Sequence, residues 1–184
     1  MPMIDVYTVS GTFPDAHRLA VDLATAVMTI EAVPDVSMFR QNTAAFIHEL
    51  GTNYISNVEG DSNYVRVQVL TNASALTREK QLAMAEQLTA IVAAAAGDPT
   101  LADRTWVLLT EAPDGGWGLK GHANTNEELV LAARAQLTEL SAAESVIRGD
   151  DARGTREAIG SSAGGNAGSA FPPRPSRVAS MMAS

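Results

Sequence analysis

Two strand–helix–strand patterns, one after the other, constrain this chain more than any other feature of its sequence. Met3 to Val9 alternates with period two, and Pro14 to Glu31 sets Leu19, Leu23, Val27 and Ile30 at helical spacing. Pro14 suits the first turn of that helix, where no amide hydrogen is needed. Ala44 to Leu50 reads as a second strand. The order then returns: Tyr64 to Thr71 (YVRVQVLT) alternates, Thr77 caps a helix from Arg78 to Ala96, and Thr105 to Glu111 (TWVLLTE) is a strand.

The two halves overlay at a spacing of about sixty residues. Ile4, Val6, Thr8 and Leu19 fall on Val67, Val69, Thr71 and Leu82 at an offset of 63; Pro34 falls on Pro99 at 65; Ile47 and Glu49 fall on Leu109 and Glu111 at 62. A strand, a long helix and a second strand make a βαβ unit with parallel strands and a right-handed crossover. The expected fold class is α+β: duplicated βαβ units forming a four-stranded sheet with two long helices on one face, plus a C-terminal helix. Apolar residues at Met3, Tyr7, Leu70, Trp106 and Leu108 lie on either parity of their strands, as expected when both faces of the sheet are buried. Helices on one side can cover only one face, so further copies of the chain are expected to cover the other, in a homo-oligomer.

Past the second unit, GGWGLKG reads as a turn or short hairpin, and Thr125 with Glu128 forms a capping box opening a helix from Glu127 to about Ile147. Unit one is expected over about 2–60, unit two over about 64–121 and the last helix over about 126–147, within a folded domain of 2–148. Residues 149–184 hold six of the fourteen glycines and three of the eight prolines without apolar periodicity, the composition of a disordered tail. Pro172-Pro173-Arg174-Pro175 within it is too short and common to mark a proline-rich ligand.

Composition removes several classes of function. With no cysteine in 184 residues, disulfide scaffolds, thiol nucleophiles and cysteine-ligated metals are excluded. The formal charge of −8 comes without any basic stripe, so neither nucleic acid nor an anionic membrane is an expected partner. The longest apolar run, Ala90 to Ala96, is too short to span a bilayer, and the start lacks the features of a secretory signal, which together point to the cytoplasm. Gly116-x-Gly118-x-x-Gly121 matches a dinucleotide fingerprint in spelling but lacks the strand and helix that such a motif requires. His48-Glu49 begins a zinc-protease pattern whose second histidine is Thr52, and no Gly-x-Ser-x-Gly elbow is present. No metal or organic cofactor is expected.

What remains is the chain's first nitrogen. If Met1 is removed, Pro2 carries a secondary amine, and α-amino groups titrate near 7.7 to 8.0, close enough to neutrality for a general base. A Met-Pro start opening into a strand, the repeated βαβ unit, and a Thr-Glu-x-x-x-Gly-x-Trp-Gly-x-x-Gly segment within Leu108 to Gly121 together resemble the tautomerase superfamily, the 4-oxalocrotonate tautomerase-like proteins. The resemblance covers about Pro2 to Leu140. It implies a fused member with two units per chain, assembled as a trimer, in which Pro2 is the catalytic base and acid and Trp117 an active-site aromatic. The activity implied is keto–enol or double-bond isomerisation of a small 2-oxo or 2-hydroxy acid. Decarboxylation or hydration of a small oxo acid is the alternative on the same fold, and a non-catalytic oligomeric binding protein is the alternative of another class.

The chain departs from that family at its cations. Thr12 and Trp106 stand where the short members carry arginines; Thr71 and Ser74 replace the arginine pair of the fused dehalogenases, and Leu108 replaces their tyrosine. Dehalogenation is therefore disfavoured. Arg66, Arg40, His48 and Lys120 lie at or near strand or loop ends and are the candidate substitutes for a carboxylate-binding cation, with Asn63 as a candidate donor to a developing enolate. Each has a blander reading, as a surface or interface charge for Arg66 and Arg40 and as a packing anchor for Trp117.

Overall fold

The computed structural model describes residues 1–160, with side chains described through 143 and at Ser145. Strand β1 (Met3–Val9) leads through a turn to helix α1 (Ala16–Glu31); a short helix α2 (Ser37–Gln41) precedes β2 (Ala44–Leu50). The second unit repeats this with β3 (Val65–Asn72), α3 (Arg78–Ala96) and β4 (Thr105–Ala112). A small hairpin, β5 (Trp117–Leu119) and β6 (His122–Asn124), leads into α4 (Asn126–Gly160). Met1–Leu140 forms one compact unit. No helix among the described residues is long and apolar enough to cross a membrane.

Both long helices start and stop as their sequences dictate. Asp15, not Pro14, occupies the cap of α1 and accepts the Arg18 N–H at 2.8 Å, which leaves the proline just ahead of the helix. Thr77 caps α3 through the Lys80 N–H. Left-handed residues, Ala32 and Gly97, end the two helices. The expected capping box is formed: Thr125 N–H donates to Glu128 Oε2 at 2.8 Å, and Glu128 N–H to Thr125 Oγ1 at 3.2 Å. α4 runs on to Gly160, past the expected end near Ile147. Its residues 150–159 (DDARGTREAI) include good helix formers, and the two internal glycines of the extension, Gly149 and Gly154, cost only about 1 kcal/mol each. The rest of the expected tail, 161–184, lies outside the described residues.

The sheet order is β2-β1-β3-β4, with β1 parallel to β2, β3 parallel to β4, and β1 antiparallel to β3. The two βαβ units thus meet along their first strands, head to tail. Ile4, Val6, Val67 and Val69 point from the centre of the sheet into a core closed by Leu19, Leu23 and Val27 of α1 and Met84, Leu88 and Val92 of α3. Each such apolar side chain contributes roughly 1.5–3 kcal/mol by leaving water.

The register of burial corrects one anchor of the overlay. Strand positions match at 63, as expected, but the buried stripe 19-23-27 of α1 corresponds to 84-88-92 of α3, an offset of 65. Leu82, the expected equivalent of Leu19, is 54% exposed. The connection from β3 to the stripe of α3 is two residues longer than its counterpart.

On the face away from the helices, pairing sets His48, Tyr7, Arg66 and Trp106 in one row and Phe46, Asp5, Gln68 and Leu108 in the next. Phe46 and Trp106 are each 50% exposed there, and Leu108 45%.

Candidate active site

The chain start lies at the edge of the sheet's centre. The Pro2 carbonyl accepts the Ala44 N–H at 3.3 Å, continuing the β1–β2 ladder by one residue, and both Met1 and Pro2 are buried. Met1 packs in a small apolar cluster with Ala112, Trp117 and Leu129, flanked by Phe39 and Leu70. Trp117 therefore stands beside the chain start, held on a hairpin whose two-residue turn, Lys120-Gly121, has positive φ at both positions (53° and 77°) and pairs Leu119 with His122. Glycine suits the second of these positions because it has no Cβ to clash.

A cavity of about 510 Å³ opens over this start. Met1, Glu31, Phe39 and Asn72 line one side; Asn126, Leu129, Ala133 and Arg134 line the other, from the first turns of α4. Its size and mostly apolar walls suit a small molecule. α4 is fixed over it by two sets of bonds. Asn126 N–H donates to Asp114 Oδ1 at 2.7 Å and its side-chain amide to the Ala73 carbonyl at 3.2 Å. Farther along, Gln136 Oε1 accepts the Met38 N–H at 2.9 Å while its Nε2 donates to Ser37 Oγ at 2.7 Å.

Electrostatically the cavity centres on one pair. The Met1 ammonium lies 3.5 Å from Glu31 Oε2, and both groups are almost fully shielded from water. Burial pushes the amine below its ordinary value, with Glu31 opposing; burial likewise pushes the Glu31 carboxyl up, with the amino terminus opposing and Lys80 adding to that opposition. Neither carboxylate oxygen of Glu31 accepts a hydrogen bond. Lys80 Nζ reaches the Glu31 carbonyl oxygen instead, at 2.7 Å.

The other expected site residues lie elsewhere within one chain. Arg66 and His48 flank Tyr7 on the open face, five residues along β1 from Pro2, roughly 17 Å of extended strand. There the His48 ring stacks on Tyr7 at 4.5 Å, its Nε2 lies 2.6 Å from Asp5 Oδ1, and the Arg66 guanidinium covers the other side of Tyr7 at 4.2 Å. Arg40 is exposed and pairs with Asp35 at 3.1 Å. Asn63 is exposed, and its carbonyl accepts Arg104 Nε at 3.1 Å. Lys120 sits in the hairpin turn. Of the residues read from sequence, Trp117 is the one that packs against Met1, the neighbour of Pro2 in the chain.

Two cavity residues went unread, and both carried a signal. The stripe Leu19, Leu23, Val27 continues at the same spacing to Glu31, so a carboxylate closes an otherwise buried face. On α4, Asn126, Leu129, Val130, Ala133, Arg134 and Leu137 recur at steps of three and four along the cavity, with Leu129 and Ala133 buried and Arg134 beside them exposed. Among the described residues no three His, Asp or Glu side chains converge in a metal-binding group.

No family model and no curated protein matches the chain. Solved structures match its fold. A native fused 4-OT superposes with a TM-score of 0.54 at 19% identity, over 65% of this chain and 94% of that one. N1, a member of the cis-3-chloroacrylic acid dehalogenase family, gives 0.57 at 20% identity, over 76% and 98%. Malonate semialdehyde decarboxylase gives 0.51 at 17% identity, over 66% and 93%. The fold of this chain is thus that of the tautomerase superfamily, in the fused form that carries two βαβ units in one polypeptide.

Proposed function

We propose that the protein is an isomerase of small 2-oxo or 2-hydroxy acids in which Pro2, freed by removal of Met1, serves as general base and then general acid. The observation that carries this reading is the burial of the chain start at the floor of an apolar cavity of about 510 Å³, beside Trp117. Loss of Met1 deepens that cavity down to the Pro2 nitrogen. The amine takes a proton from an enol oxygen or from carbon and returns it to the other atom, a transfer worth roughly 10²–10⁴ in rate. Arg134 on the cavity wall is the cation placed to hold the substrate carboxylate in one chain, and the Asn72 and Asn126 amides are donors for the enolate oxygen. Arg66 and His48 reach such a substrate only from a neighbouring subunit. The half-exposed apolar residues on the open sheet face, and the trimers formed by fused 4-OT proteins of this fold, support a homotrimer. The matched structures named above include a dehalogenase-family member and a decarboxylase, so decarboxylation or hydration through Pro2 is the alternative chemistry.

A second reading draws on a specific contact. Met1 fits into its cluster with its ammonium held by Glu31, an arrangement that a chain retaining Met1 keeps, and such a chain has an amide rather than an amine at Pro2. That form is an oligomeric binding protein for a small acid. Intact mass separates the two. With Met1 absent, ketonisation of 2-hydroxymuconate and of phenylenolpyruvate is followed by absorbance in wild type and Pro2→Ala. A loss of roughly 10²-fold or more in the variant supports the base; equal rates remove Pro2 from the mechanism.

A further inference from the structure

Glu31 is 6% exposed, yet neither of its carboxylate oxygens accepts a hydrogen bond, and the terminal amine lies 3.5 Å from Oε2. A charge buried in this way is costly, and helix α1 does not need it. The duplication supplies the internal control. The matched left-handed ends of α1 and α3, Ala32 and Gly97, make Ala96 the counterpart of Glu31. At the strand offset of 63, the counterparts of Met1 and Pro2 are Tyr64 and Val65, inside a continuous backbone. The acid therefore stands in the unit whose first strand carries an amino group, and alanine suffices in the unit whose first strand has none.

We propose that Glu31 is a positioning residue for the terminal amine: its carboxylate compensates the ammonium ion that forms when the amine takes a proton inside an apolar cavity, and so keeps that amine basic. As a statement about turnover this rests on the isomerase reading above; as a statement about the amine it does not. In turnover, an O–H or C–H bond of the substrate breaks, its electron pair stays on the substrate as an enolate, and the proton forms an N–H bond at the amine. Return of the proton to carbon or oxygen restores the amine, and Glu31 keeps its charge throughout. Removal of Met1 moves the amine by one residue step, about 3.8 Å between Cα atoms, which the three rotatable bonds of the glutamate side chain can follow.

The groups facing Glu31 fit this role. The amine approaches from the start of β1 and Lys80 from α3 through the Glu31 carbonyl; Arg134 of α4, exposed, lines the same cavity, and the chain at the end of β3 adds the uncharged Asn72, Ala73 and Ala75. Burial drives the carboxyl up and the amine down, and each opposes the shift of the other.

The test titrates the amino-terminal nitrogen by NMR in ¹⁵N-labelled full-length protein, wild type and Glu31→Gln, after intact mass has identified the residue that bears it. The amine is expected to titrate at lower pH in Glu31→Gln, and the acidic limb of kcat/KM to move with it. Equal titration of the amine in the two folded proteins overturns the proposal at any level of activity. A wild type inactive on every enol acid sinks the isomerase reading and leaves the titration to decide the role of Glu31. If Glu31→Gln does not fold, the wild type decides: a Glu31 carboxyl carbon and terminal nitrogen that share two inflections support the pairing, and independent single-step curves overturn it.

Discussion

Glu111 Oε2 accepts the backbone N–H of Ser74 at 3.1 Å, and the equivalent carboxylate of the first unit, Glu49 Oε1, accepts the N–H of Gly11 at 3.3 Å. In each unit the end of the second strand thus holds the loop that leaves the first, at a residue with positive φ, 60° for Ser74 and 82° for Gly11. A left-handed backbone costs an L-residue roughly 1–2 kcal/mol, which glycine avoids. Gly11→Ala is therefore expected to lower stability in urea unfolding by about that amount, while Ser74→Gly is tolerated or stabilising. A neutral Gly11→Ala would show that the loop relaxes and that the conserved geometry of the two units is not enforced here.

The helix offset of 65 has its own test in α3. Leu88 is fully buried between the helices and the sheet, whereas Leu82 is 54% exposed. Leu88→Ala is expected to cost about 2–5 kcal/mol by loss of contacts and creation of a cavity, and Leu82→Ala to stay within about 0.5 kcal/mol. Equal losses would restore the offset of 63 throughout the repeat.

These two sites show what the sequence could and could not convey. The bounds of β1, β2 and α3 were readable because alternation, a capping threonine and a closing glycine all agree at their ends. The buried face of α3 was not, because its run of alanines gives nearly every face the same hydrophobicity, so Leu82 attracted an alignment that burial rejects. Arg66 illustrates a different limit. At the strand offset of 63 it stands one residue past Val65, the counterpart of Pro2, but equivalence under a head-to-tail repeat means the opposite end of the sheet, and only the antiparallel β1–β3 pairing reveals that. Glu31 was legible in principle, as the fourth member of a stripe at steps of four.

Glu31 also gives stability a pH dependence of known sign. Burial raises its folded-state value above the ordinary one near 4.5, with the amino terminus and Lys80 only partly opposing. A group raised in the folded state binds its proton more tightly there, so its contribution is complete below the ordinary value and is lost as pH rises through the folded one. Wild type is therefore expected to lose stability relative to Glu31→Gln as pH increases across that window, in parallel urea titrations. The buried amine acts in the other sense, contributing above its ordinary value near 8.0 and losing that contribution as pH falls through its lowered folded value. A wild type to Glu31→Gln difference that is flat with pH would mean the carboxyl is as hydrated in the fold as outside it.

Arg134 is exposed and lines the cavity from α4, one helical turn beyond Val130. If it holds a substrate carboxylate in ground and transition states alike, Arg134→Ala raises KM with little change in kcat, and Arg134→Lys, which keeps the charge without the planar fork, recovers part of the loss. Steady-state kinetics on an enol acid separate the cases. An unchanged KM would pass the anion-binding role to Arg66 or His48 of a neighbouring subunit.

The open sheet face supplies the last expectation. Phe46, Trp106 and Leu108 are each about half exposed on strands whose other side is packed against α1 and α3. They sit in two adjacent rows, and Tyr64 stacks on Trp106 at 4.8 Å, which stiffens an apolar surface that water would otherwise have to cover. A carboxylate placed at Leu108 meets no cation in its own row, and Arg66 in the adjacent row already lies over Tyr7. Leu108→Glu is thus expected to convert a trimer into monomers in sedimentation velocity, with far-ultraviolet circular dichroism unchanged because the core on the other face is untouched. A monomeric wild type at micromolar concentration would remove the homotrimer, and with it any route by which Arg66 or His48 reaches the cavity at Pro2.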